Sequence, residues 1–115
     1  MMIVYARNKS ATVELLGPAG KLAGWSLFNG TAALAFVQFF DTDDVSEITL
    51  GTSVPKLVLA IPPVAVGGLN QLMSSFDGIE FQRGCAFAAT TEDNNNTAPS
   101  WGAGTDTGDF NLFFQ

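Results

Sequence analysis

Apolar residues in this chain fall in short runs separated by glycine, proline and asparagine, with no stripe of helical period. The densest stretch runs from Lys21 to Asp41, KLAGWSLFNGTAALAFVQFFD. Leu22 to Phe28 reads as a strand and Ala33 to Phe40 as a second one. Asn29-Gly30 between them reads as a two-residue turn, because both residues tolerate positive φ. A continuous apolar run also suits a short buried helix, but the aromatic and β-branched content and the neighbouring turn select strand. On strand geometry Leu34, Phe36, Gln38 and Phe40 share one face, and Ala35, Val37 and Phe39 the other. Apolar residues on both faces predict a strand covered twice, once within the fold and once by something further.

The remaining pattern is similar in kind. Met2 to Arg7 reads as an arm or first strand. Thr12 to Leu16 reads as a short strand stopped by the turn cluster Gly17-Pro18-Ala19-Gly20. Asp41 to Glu47 is an acidic loop, and Ile48 to Pro55 is a short segment broken by Gly51. Lys56 to Ile61 is a strand ended by Pro62-Pro63, Val64 to Gly68 a connector, and Leu69 to Met73 a weak strand. Gly78 to Phe81 leads into a strand of small residues from Gly84 to Thr91, and Glu92 to Gly108 is a polar loop. Asp109 to Gln115 closes the chain, with Phe110, Leu112 and Phe114 on one face and Phe113 on the other. About eight such runs at roughly ten-residue spacing predict an all-β fold, an antiparallel β-sandwich with jelly-roll-like character. Residues 1–9 are expected to form an N-terminal arm or edge strand, and residues 10–115 the sandwich domain.

Composition narrows the function. In 115 residues there are ten phenylalanines, yet only 14% of residues are charged, against an average of about 25%. Surplus aromatics on a weakly charged chain point to surface that is covered in use. The net charge is −6, and Arg7, Lys9, Lys21, Lys56 and Arg83 are dispersed, which argues against nucleic acid. No apolar run is long enough to cross a membrane as a helix. No signal-like segment precedes the first apolar run, so synthesis in the host cytoplasm without export by a visible signal is expected. The chain has no histidine and one cysteine. Cys85, in an apolar run, is expected to be a buried small hydrophobe without a base to activate it.

The candidates for chemistry are few. Asp41, Asp43, Asp44 and Glu47 could be offered to calcium, but their spacing lacks the pattern of a calcium loop, and a solvated acidic loop is the plainer reading. They do not form a pair facing across a cleft, as glycoside hydrolysis requires. Trp25 lies in an apolar strand and reads as core. Trp101, in Pro99-Ser-Trp-Gly, either plugs its loop against the body or meets a partner. Gly102-x-Gly104 does not join a strand to a helix, so it is not a phosphate cradle. No catalytic residue, metal ligand or cofactor is assigned, and an enzyme is not expected.

Several segments together resemble short virion-associated proteins of tailed phages: Gly20-Lys-Leu-Ala-Gly24-Trp25, Asn29 to Ala32, Val37-Gln-Phe-Phe40, Leu50 to Pro62 in LGTSVPKLVLAIP, and Phe81 to Thr91. The resemblance implies a virion component, a capsid decoration (cement) protein on the capsid surface. Its partners would be its own copies, as a homotrimer, and the major capsid protein. Met2, Ile3, Val4, Tyr5, Arg7, Phe39 and Phe113 are the expected interface residues. The alternative is a tail-associated module that binds a receptor or glycan through Trp101.

Overall fold

The computed structural model describes residues 2–72, 77–101 and 108–115. The described chain is all-β. Seven strands form one curled antiparallel sheet, β1 (Met2–Arg7), β2 (Glu14–Asn29), β3 (Ala35–Asp41), β4 (Leu57–Ile61), β5 (Leu69–Leu72), β6 (Ile79–Thr90) and β7 (Gly108–Phe114). The order across the sheet is β1-β7-β2-β6-β3-β4, and β5 pairs with β2 beyond the end of β6. Short 3₁₀ turns at Val45–Glu47 and Val64–Val66 are the only helical segments among the described residues.

β2 is the spine, because it pairs with β6 through its first half and with β7 and β5 through its second. The cluster Gly17-Pro18-Ala19-Gly20 is not the expected turn. It lies inside β2, where the register against β6 shifts between Leu15 and Gly17 and again between Pro18 and Gly20. Such irregularities bend a strand and raise its twist. Proline is tolerated there because it need not donate to a regular ladder. The glycines are required by space. A Cβ on Gly20 would lie 2.5 Å from the Gln115 carbonyl oxygen and 2.9 Å from the Phe114 ring. The sheet can therefore fold over its own last strand.

Asn29-Gly30 is also not a two-residue hairpin, since β2 and β3 are not neighbours and β6 lies between them. Neither residue has positive φ. Asn29 works through its side chain instead. Its amide donates to the carbonyls of Ala33 (2.7 Å) and Ile61 (3.1 Å), and its oxygen accepts from the N–H and hydroxyl of Thr31. The β2–β3 connection is thus tied to the end of β4.

The curl brings β4 round to β5. Asn70 on β5 accepts from the indole of Trp25 at 2.9 Å and donates to the Ala60 carbonyl on β4 at 2.8 Å. Inside lies one apolar cluster that includes Leu22, Trp25, Leu27, Val37, Phe39, Ile61, Phe81, Cys85, Phe87, Phe110, Leu112 and Phe114. β7 shows the expected alternation, with Phe110, Leu112 and Phe114 buried and Phe113 on the other side. Trp25 and Cys85 are core residues, as read from sequence, and burial pushes the Cys85 thiol up to about 12. The radius of gyration is 13.2 Å.

Phe110 is fully buried and meets Trp101 edge-on at 6.0 Å between ring centroids. Phe110→Ala is expected to cost about 3–5 kcal/mol in urea unfolding, a large share of a domain stability of about 5–15 kcal/mol. Val54→Ala, at an 89% exposed position, should change stability by less than about 0.5 kcal/mol.

Candidate interaction surface

The sheet has two outward halves, and they are finished differently. On the β3–β6 half the outward residues Gln38, Phe40, Ala86, Ala88 and Thr90 are buried in the single chain. Their register, Gln38 opposite Ala88 and Phe40 opposite Ala86, makes them a second apolar layer. The chain's own connections close over it. Gln38 Nε2 donates to Thr90 Oγ1 at 2.9 Å and to the Asn95 carbonyl at 3.3 Å, and Thr90 Oγ1 donates to the Glu92 carbonyl at 2.7 Å. The Ala89 N–H donates to the Ser10 carbonyl at 3.4 Å. The second cover predicted for β3 is therefore intramolecular. For the same reason Phe39, fully buried in the core, is not an interface residue: its face of β3 points into the curl.

The acidic loop fastens this cover to the sheet. Asp41 accepts from the backbone N–H of Gln82 (3.0 Å) and Arg83 (2.9 Å), and Lys56 lies 3.8 Å away. Burial opposes ionisation of Asp41, but these donors outweigh it and hold its pKa below the ordinary carboxylate value. The Arg83 guanidinium grips both oxygens of Glu47, at 2.9 and 2.6 Å, and one of Asp43 at 2.8 Å. Glu47 is held below its usual range chiefly by that hydrogen bond, and Arg83 is raised by it. Asp44 accepts from the hydroxyl (2.7 Å) and N–H (3.0 Å) of Ser46, which lowers it too. Each of the four carboxylates is engaged with a protein donor. Among the described residues no three potential ligands gather for a metal ion.

Trp101 takes the packing alternative. Its indole N–H donates to the Lys9 carbonyl at 2.6 Å, its ring meets Phe110, and Gly108 offers it a seat where a Cβ would come within 2.8 Å. Residues 102–107 of the same loop, including Gly102 and Gly104, lie outside the described residues.

The β1–β7–β2–β5 half is open. Its outward residues form cross-strand rows: Ile3 with Phe113 and Gly24; Tyr5 with Asn111, Ser26 and Gln71; Arg7 with Asp109, Phe28 and Leu69. Ile3 is 66% and Tyr5 59% exposed, Arg7 and Leu69 are exposed, and Phe113 and Phe28 are half-buried. The polar members bind one another. The Tyr5 hydroxyl donates to Asp109 Oδ1 at 3.0 Å, Arg7 Nε lies 3.5 Å from the same oxygen, and Gln71 donates to Ser26 at 3.1 Å. The hydrogen bond to Asp109, followed by burial and the carboxylate's charge, raises the Tyr5 pKa. Of the residues expected at an interface, Ile3, Tyr5, Arg7 and Phe113 gather on this face. Met2 and Val4 point to the inner side, opposite Phe114 and Leu112. Leu69 and Phe28 were not among the expected residues: the pairing of β2 with β7 sets Phe28 opposite Asp109, and the pairing of β5 with β2 sets Leu69 opposite Phe28.

A surface depression of about 390 Å³ at Ala19–Lys21 is bordered by Lys21 and Glu80. Another, of about 460 Å³, lies between Ala11–Val13 and Val45–Leu50, and a third, of about 270 Å³, between Thr31–Leu34 and Pro99. Neither of the latter two is lined by a titratable side chain. Compared with protein-family models, with curated proteins and with solved structures, the chain finds no match.

Asp41→Asn keeps one acceptor and loses the charge. It should destabilise the fold by about 1–2 kcal/mol at neutral pH, as for loss of a charge-assisted hydrogen bond. The native pKa of Asp41 is depressed from 3.8, so its contribution is present above that value and lost as pH falls through the native one. Urea unfolding of wild type and variant should differ at pH 7 and converge in stronger acid.

Proposed function

We propose that this chain is a structural protein that works by association and carries out no chemistry, of the capsid decoration kind. The supporting observation is the contrast between the two outward halves of the sheet. Among the described residues the chain covers its β3–β6 half with its own loops and leaves Ile3, Tyr5 and Leu69 on the β1–β7–β2–β5 half exposed, with Phe113 half-buried beside Ile3. Aromatic and aliphatic residues set among hydrogen-bonded polar ones are the composition of a contact surface. On this reading the open face seats on a viral shell, with the major capsid protein as partner and further copies of the chain beside it. Binding to the assembled shell would stabilise it by mass action. The carboxylates of the Asp41–Glu47 loop lie on the opposite half of the sheet, where they keep the exposed side polar. The curled sheet serves as the one-sheet equivalent of the sandwich expected for such proteins. The glycan-binding alternative rested on Trp101, whose indole is committed to Lys9 and Phe110.

The test is co-sedimentation with empty phage capsids lacking the protein, together with mass spectrometry of purified virions. The protein should be present on virions and pellet with shells. Phe113→Asp should weaken binding at least about tenfold, or about 1.4 kcal/mol, whereas Val54→Asp should not. Absence from virions and failure to pellet would overturn the proposal.

A further inference from the structure

The two edges of the sheet are treated as differently as its two faces. β4 is guarded. Asn70 of β5 reaches its Ala60 carbonyl at 2.8 Å, and the strand is bracketed by Pro55 on one side and Pro62-Pro63 on the other. β1 carries the charge of Arg7, but among the described residues it has no proline, lysine, bulge or covering segment, the other usual protections of an edge strand. Its six residues, MIVYAR, pair with β7 in unbroken register. Among the described residues no strand pairs with its far side.

The backbone direction along β1 follows from one bond. The Asn8 N–H donates to the Gly108 carbonyl at 2.7 Å, continuing the register that sets Arg7 opposite Asp109. Backbone groups alternate sides along an antiparallel strand. Ala6, Val4 and Met2 therefore direct theirs to β7, while Arg7, Tyr5 and Ile3 direct theirs away from the sheet. No backbone partner of Ile3, Tyr5 or Arg7 occurs among the loop and turn bonds of the described residues.

We propose that β1 is a self-pairing edge, which adds antiparallel to β1 of a second copy of this chain about a two-fold axis at Tyr5. This deepens the association reading above, on which it rests in treating the open half as a contact surface. Three observations favour a second copy over an unrelated strand. The outward groups are symmetric about Tyr5, so Ile3 would face Arg7 of the other copy and Tyr5 its own counterpart. All of them would be paired, in about six backbone hydrogen bonds. The charges also permit it. In a chain of net charge −6, β1 carries one cation and no carboxylate, and the nearest acid, Asp109, is already held by Arg7 and Tyr5. Finally, the exposed side chains are self-compatible, since Tyr5 would stack beside Tyr5 and Ile3 would cover the aliphatic stem of Arg7. An isologous contact closes at two copies. It thus replaces the threefold arrangement that the resemblance suggests.

The experiment is sedimentation equilibrium of the full chain over a wide concentration range, with amide hydrogen exchange of the wild type at both extremes. The mass should rise from 12.1 kDa to twice that value. The Ile3, Tyr5 and Arg7 amides should be protected only at high concentration, while the Val4 and Ala6 amides are protected throughout. Tyr5→Lys sets two cations side by side and should raise the apparent dissociation constant at least about tenfold. Val54→Lys should leave it unchanged. A chain that stays monomeric, a trimer, or a dimer whose Ile3, Tyr5 and Arg7 amides exchange freely would each overturn the proposal. The exchange data do not depend on how well the variant folds. A dimer that ignores capsids would count against the decoration reading alone, and a monomer that binds them against the edge pairing alone.

Discussion

The structure depends on the bend in β2. A sixteen-residue strand would hold a flatter sheet if its pairing were regular, and such a sheet could not gather Phe39, Phe81, Phe87, Phe110 and Phe114 into one core. The irregularities around Gly17-Pro18-Ala19-Gly20 turn the strand so that its first half serves β6 and its second half serves β7 and β5. Glycine is needed because Phe114 and the Gln115 carbonyl occupy the space where side chains would stand. The chain end is fixed by the same approach, with Lys21 and Gln115 exchanging backbone bonds of 2.6 and 2.9 Å. Bend, core and closure over the last strand are one arrangement.

The bend also leaves the sheet with unequal faces. Where β3 and β6 meet, the connections fold back over Gln38, Phe40 and the alanines of β6, and Asp41 and Arg83 fasten them. The pairs around Arg83 are solvent-exposed and add little stability individually. Asp41 differs because its acceptors meet backbone donors in a half-buried site, where leaving a donor unpaired is costly. Among the described residues the other half has no such cover. It is stitched within its own plane by Tyr5, Arg7, Asp109, Ser26 and Gln71, so its apolar residues stand between polar ones already satisfied. A partner meeting this face need not supply hydrogen bonds to it, whereas the free edge of β1 calls for them.

Much of this was legible locally. Alternation along Phe110–Phe114 identified the inward face of β7, and two apolar faces on Ala35–Phe40 identified a doubly covered strand. The errors came where one local signal fits two geometries. Gly17 to Gly20 has turn composition, yet glycine and proline also mark a bulged strand. Asn29-Gly30 suits a left-handed turn, yet the Asn29 amide does its work by bridging Thr31, Ala33 and Ile61. Phe39 could not be told from an interface residue, because which face of β3 turns inward is decided by β6, some fifty residues further on. Trp101 was ambiguous for the same reason, since the Lys9 carbonyl and Phe110 that hold it are remote in sequence.

If the open edge of β1 is a contact surface for a second copy, residue 5 of one copy meets residue 5 of the other. The most direct measurement is cross-linking of Tyr5→Cys under mild oxidation, read by mass under non-reducing conditions. The native thiol at Cys85 is fully buried, which pushes its pKa up to about 12, so it stays silent. Opposed residues in an antiparallel pair lie about 5.5 Å apart at Cα, within disulfide reach. Tyr5→Cys should form a covalent dimer rapidly and Val54→Cys should form none. Equal and slow cross-linking of the two variants would contradict the pairing.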